Sequence, residues 1–224
     1  MMNFKKNWKW YLVNLIALLP LLPVLAQFNF DFSGSGPFIS MDMPASLPEM
    51  QNEAALHEGP RSPLGFPIHI TGEGAIRWLT ACLTITPLVT LFGWKIQRYR
   101  KLFGLYAFLF AALHLIFFLA DKGILPLFGE FNFILGLIAL LIMLPLAATS
   151  NQWSMKFMGR SWKQMQKMVY IASICAMLHV VILEKGWEIY AVLIGLGYII
   201  RIPVIKNYFV KLRAPKAELS VTEN

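Results

Sequence analysis

Residues 102–120 read LFGLYAFLFAALHLIFFLA, an uncharged apolar run interrupted only by one imidazole, His114. At 1.5 Å per residue this stretch makes a helix of roughly 28 Å, about the thickness of a bilayer's hydrocarbon core. An ionisable group inside such a run is costly to insert and marks a functional site by default. One other histidine lies at membrane depth, His179, within MVYIASICAMLHVVILEK at 168–185.

The composition agrees with a membrane reading. Of 224 residues, 57% are hydrophobic and only 14% charged, whereas a soluble domain carries about a quarter charged. The net charge of +8 would raise nucleic acid as a partner in a soluble protein. Here the basic residues sit between apolar segments, so membrane topology explains them and no nucleic acid is expected. Cys82 and Cys175 both lie inside apolar segments and form no C-x-x-C pair, which excludes a readable disulfide framework or zinc site. Lys5, Lys6 and Lys9 precede an apolar run from Trp10 to Phe28. That run is too long for a signal-peptide core and no small-x-small cleavage site follows, so an uncleaved first span is expected.

Six apolar segments are visible: Trp10–Gln27, Gly74–Phe92, Leu102–Ala120, Phe131–Ala148, Met168–Leu183 and Ile189–Val204. None alternates as a barrel strand would, so the fold expected is an all-α membrane protein with a six-transmembrane-helix bundle. The expected organisation is a first transmembrane helix in 1–28, a long outer loop over 29–73, a five-helix core over 74–205 and a tail over 206–224. Basic residues fill the N-terminus, the second-to-third link (Lys95, Arg98, Arg100, Lys101), the fourth-to-fifth link (Lys156, Arg160, Lys163, Lys167) and the tail. They alternate with acidic links holding Asp31, Asp42, Glu49, Glu53, Glu58, Glu73, Asp121, Glu130, Glu184 and Glu188. By the positive-inside rule both termini are cytoplasmic. The long loop is rich in Pro, Gly, Ser, Met and acidic residues; it reads as a solvated flexible segment or a docking surface for an external partner. Met41, Met43 and Met50 stand there without His or Cys beside them, too little for a soft-metal site.

Each histidine stands on a stripe of small residues of its own helix. Ala111, Ala107 and Gly104 precede His114 by 3, 7 and 10 residues, and Ala176, Cys175 and Ala172 precede His179 by 3, 4 and 7. Such stripes permit close helix packing and also leave room for a flat macrocycle. The third and fifth spans run in the same direction, and both imidazoles fall in their outer halves at matching depth. That is the arrangement bis-imidazole ligation of haem requires. Arg77, which opens the second span at the outer side, is a candidate partner for a haem propionate or an interfacial anchor. Arg98 and Arg100, in KIQRYRK at 95–101, are candidates for holding an anionic cofactor, beside their role as topology signal. No phosphate-binding loop, dinucleotide fingerprint or nucleophile elbow occurs.

TGEGAIRWLTACLTITPL (71–88), RKLFGLYAFLFAALHL (100–115), LPLAATSNQW (144–153) and GRSWKQMQKMVYIASICAMLH (159–179) resemble, in order and spacing, the MsrQ/YedZ family. This is a group of haem-binding membrane subunits of the periplasmic methionine-sulfoxide reductase system, within the ferric-reductase-like transmembrane group. The resemblance covers about residues 70–185. It implies electrons entering from a cytoplasmic flavin reductase or the quinone pool, crossing by b-type haem with FMN as a further cofactor, and leaving to a periplasmic molybdoenzyme. Oxidised methionine is a reversible lesion that consumes such reducing equivalents. His114 and His179 match the family's haem histidines, and Arg98, Arg100 and Lys101 its flavin-associated loop. Two features differ. The family pattern W-x-x-L-H-x-x-V-Y reads here Trp162, Met165, Gln166, Val169 and Tyr170, with Gln166 in the histidine's place. The outer loop is also long for the family. Met165 and Met168 read as gap-fillers rather than ligands, so one haem b is expected.

The reading that follows is a multi-pass protein of the bacterial inner membrane, an electron-transfer subunit rather than a complete enzyme. Two others stay open: a ferric-reductase-like cytochrome b with another acceptor, and a cofactor-free scaffold or small transporter, although no internal repeat or broken polar midplane helix is visible. For the orientation, a cysteine introduced at Ser46 should react with an impermeant label applied from outside while one at Gly159 is spared. The reverse pattern would overturn it.

Overall fold

The helix carrying His114 runs from Tyr99 to Lys122, and its two halves belong to different parts of the fold. The computed structural model describes residues 4–30, 39–41, 62, 64–183 and 186–213. It divides into two compact units, residues 1–74 with 110–127 and residues 75–109 with 128–224. The contacts thus group the chain differently from the partition read off the sequence, because residues 110–127 pack with the N-terminal part.

In chain order the helices are α1 (Phe4–Leu18), α2 (Leu22–Leu25), α3 (Gly65–Phe92), α4 (Tyr99–Lys122), α5 (Phe131–Ala148), α6 (Gln152–Met158), α7 (Arg160–Gln166), α8 (Val169–Ile182), α9 (Glu188–Arg201) and α10 (Pro203–Arg213). Among the described residues five helical segments are long and apolar enough to cross a membrane, or six if the bent pair α9–α10 is one span. The chain is a multi-pass membrane protein, helical among the described residues apart from one short hairpin.

In the first unit, Pro20 and Pro23 tighten the first span into a 3-10 turn before α2. A short antiparallel hairpin follows, β1 (Phe28–Phe30) on β2 (Ile39–Met41), with Asn29 opposite Ser40. Met43 and Met50, and most of the long loop, lie outside the described residues. The loop does not extend to residue 73, and the second span does not open at Gly74, because α3 begins at Gly65. Pro67 sits in its first turn, where a missing N–H costs no helical bond, and Thr71 donates its hydroxyl back to the Pro67 carbonyl at 2.6 Å. Ser62 accepts from Leu64 N–H at 3.1 Å and donates to the Asp121 carboxylate, which fixes the entry to α3.

In the second unit, α5 and α8 pack along their length. The buried residues of α5 are Asn132, Leu135, Ala139, Met143 and Leu146, a spacing of three and four that lines one helix face. Ala139 and Met143 lie within the unit's interior, where Met143 joins Ile76, Leu79, Leu83, Ala107, Ala172 and Ile194 in one apolar cluster. The fifth span is longer than its apolar core: α7 continues into α8 through Lys167 and Met168, which keep right-handed helical dihedrals while their N–H groups bond three residues back. The last apolar segment does not continue through Val204. Pro203 forces Ile202 into extended backbone (φ −58°, ψ 128°), and α10 leaves α9 at 79°. Ile205, Tyr208, Phe209 and Leu212 share one face of α10 and alternate with Lys206 and Lys211, a pattern suited to an interface rather than a span.

A second proline explains Arg201. Pro87 lies inside α3 and offers no N–H to the Leu83 carbonyl one turn earlier. Arg201 Nη2 donates to that carbonyl at 2.5 Å and Nη1 to the Gly197 carbonyl at 2.6 Å, with its guanidinium over the Tyr170 ring at 5.5 Å. A side chain at Gly197 would crowd the guanidinium, its Cβ falling 3.1 Å from Nη1. A charged bond to an otherwise orphaned carbonyl is worth about 1.5–3 kcal/mol. Arg201→Ala should therefore lower the apparent melting midpoint in detergent, with Arg201→Lys recovering part of the loss. Equal midpoints for all three proteins would contradict this role.

Candidate functional site

His114 and His179 are held by the same local arrangement, one in each unit. In the first unit, His114 Nδ1 lies 2.8 Å from the Ile68 carbonyl oxygen of α3. In the second, His179 Nδ1 lies 2.6 Å from the Asn132 carbonyl oxygen at the start of α5. A carbonyl only accepts, so in each ring Nδ1 carries the proton and donates it. The neutral imidazole then has its lone pair on Nε2, the nitrogen able to ligate a metal.

Each ring also lies against a glycine of the helix that supplies the carbonyl. A Cβ built at Gly72 would fall 3.0 Å from both Cε1 and Nδ1 of His114. One at Gly136 would fall 3.2 Å from the same two atoms of His179. Beside Gly72, Gly74 makes room for the ring of Phe110, which is fully buried one turn before His114.

The small residues of the histidines' own helices do something else. Ala107 and Ala172 are fully buried in the apolar cluster of the second unit, and Gly104 faces the Cys82 sulfur, 3.5 Å from its added Cβ. They pack helices together, while the surfaces that receive the imidazoles come from other helices.

The arginines engage partners of their own. Arg77 does not open its span, because α3 starts twelve residues earlier. It lies five residues beyond Gly72, about 7.5 Å further along the axis, and its Nε points to the Tyr190 hydroxyl at 3.4 Å. Arg98 bonds the Tyr99 hydroxyl at 2.9 Å and covers that ring at 4.8 Å, while the backbone carbonyl of Arg100 accepts from Cys82 Sγ at 3.3 Å. Gln166, standing where the resemblance implies a histidine, donates Nε2–H to the Leu146 carbonyl at 3.1 Å. Trp162 Nε1 donates to the Thr149 carbonyl at 3.0 Å. Together they satisfy carbonyls left open at the C-terminal end of α5, a need every helix end creates.

Among the described residues no three His, Cys, Asp or Glu side chains gather to hold a metal ion. A neutral imidazole with its lone pair on Nε2 is the form that ligates haem iron. The sequence marked both histidines. It gave no sign of their carbonyl partners, 46 and 47 residues away, nor of Gly72 and Gly136 as the residues beside them.

Comparison with known proteins agrees. The family described as "Ferric reductase like transmembrane component" matches residues 71–177. Curated proteins named "Protein-methionine-sulfoxide reductase heme-binding subunit MsrQ", from Brucella ovis, Brucella canis and Brucella suis, are each 34% identical over 138 residues. The alignment covers 57% of this chain and 63% of each relative's length. No solved structure matches.

Proposed function

We propose, from the match of residues 71–177 to the ferric-reductase-like family and the 34% identity to MsrQ subunits, that the chain is an MsrQ/YedZ-type haem-bearing membrane subunit of a methionine-sulfoxide reductase system. His114 and His179 would hold one haem b, each through its Nε2. The single observation that carries this reading is the paired Nδ1–H donation to helix carbonyls, at 2.8 and 2.6 Å, which leaves Nε2 of each ring as the ligating nitrogen.

When bound, haem supplies one-electron chemistry. The chain's own residues prepare its setting. Ile68 and Asn132 fix the tautomer and the rotation of each ring through their carbonyls, and raise the basicity of Nε2 by accepting the Nδ1 proton. Phe110, fully buried one turn before His114, packs beside Gly74 on the helix that supplies the carbonyl. Both termini and the basic links face the cytoplasm, where Arg98 and Arg100 lie at the entrance used by a flavin (FMN) or quinone donor. The long segment ahead of α3 faces the periplasm of a bacterial inner membrane, where a molybdoenzyme reductase accepts the electrons. Gln166, engaged in capping α5, leaves the inner level without an imidazole. Arg77 retains a supporting role toward a propionate on the ground of its charge.

A second reading, a cytochrome b that delivers to ferric iron, is favoured by the family description over residues 71–177; a periplasmic pull-down of a molybdoenzyme distinguishes the first. The ligand assignment is tested by the oxidised and dithionite-reduced spectra of the detergent-purified protein. His114→Ala and His179→Ala should each abolish the low-spin spectrum, while Gln166→Ala leaves it intact. A low-spin spectrum that survives loss of both histidines would refute the assignment.

A further inference from the structure

The two histidine sites repeat one backbone motif. In an α-helix the carbonyl of residue i accepts from the N–H of residue i+4, and the side chain at i+4 stands beside that carbonyl. Ile68 and Gly72 are four residues apart on α3, and Asn132 and Gly136 are four apart on α5. In both, the carbonyl that receives the imidazole is the one whose i+4 neighbour is glycine. With no Cβ there, the carbonyl's second lone pair is open to a group arriving from outside the helix.

Resting on the haem reading above, we propose that Gly72 and Gly136 are positioning residues that fix the rotation of the two ligand rings. The ring edge, from Cε1 to Nδ1, occupies the space a methyl would take, and the Nδ1–H bond then sets the ring's rotation about its Cβ–Cγ bond. Glycine is costly in a helix interior, about 0.5–1 kcal/mol relative to alanine, and its two placements coincide with the two imidazoles. Gly104 repeats the spacing toward a different donor, the Arg100 carbonyl receiving Cys82 Sγ at 3.3 Å with the sulfur 3.5 Å from an added Cβ, so the spacing admits a side chain from another helix and the imidazoles are two of its users. Gly195, in α9, has nothing within 4 Å of an added Cβ.

Alanine at either position places a methyl 3.0–3.2 Å from ring atoms, so the ring must turn and its bond to the carbonyl must lengthen. The relative rotation of two axial imidazoles sets the g values of low-spin ferric haem. Gly72→Ala and Gly136→Ala should therefore shift the largest g value in the electron paramagnetic resonance spectrum, with Gly195→Ala as a helix-glycine control that does not. Unchanged g values in both variants would overturn the proposal while leaving bis-histidine ligation standing; a wild-type protein without a bis-histidine spectrum would instead fail the reading beneath it. Should either alanine variant lose haem, His114→Gly with free azoles decides. Imidazole can donate to the Ile68 carbonyl and 1-methylimidazole cannot, so the first should restore the low-spin spectrum with about tenfold higher affinity. Equal affinity, including no binding by either, would overturn the proposal.

Discussion

Everything proposed for this chain depends on a hydrogen bond between an imidazole and a helix carbonyl inside an apolar setting. Away from water such a bond is not exchanged for one to solvent, so it holds a ring more firmly than the same bond at a surface. A histidine at membrane depth without it would still be a polar group seeking a partner. With it, the ring has one tautomer, one rotation and one nitrogen left to ligate. This occurs at both membrane-depth histidines, once in each compact unit, with the same carbonyl-to-glycine spacing.

The same rule, that backbone polar groups in a membrane must be satisfied within the protein, accounts for Arg201, Gln166 and Trp162 in the second unit. Pro87 orphans the Leu83 carbonyl and Arg201 fills it. The end of α5 leaves carbonyls that Gln166 and Trp162 fill. Gln166 is thus more than a lost ligand. Its amide performs a capping bond, and an amide has no lone-pair nitrogen with which to bind iron.

Much of this was legible in the sequence, for reasons that differ residue by residue. His114 and His179 stood out because an imidazole in an unbroken apolar run has few explanations. The spans were readable from length and hydropathy, although their ends were not. Residues 65–73 looked like loop because Pro67, Gly72 and Gly74 are usual turn formers, yet Pro67 falls in a first helical turn and the two glycines make room for His114 and Phe110. The last segment looked like a full span because hydropathy does not register the bend that Pro203 imposes at Ile202. The carbonyls of Ile68 and Asn132 could not be read at all, since a backbone acceptor has no residue identity and its partner lies far along the chain. The small residues preceding each histidine were legible, but their role lay in packing, with Ala107 and Ala172 in the apolar cluster.

The proposed site is a single haem held by His114 and His179, with no second one at Gln166. Haem quantitation by pyridine haemochromogen against polypeptide concentration, on protein purified in detergent after expression with ample haem, should give a ratio near one. A ratio near two would show a second site that Gln166 does not preclude, and a ratio near zero would remove the cofactor on which the reading rests.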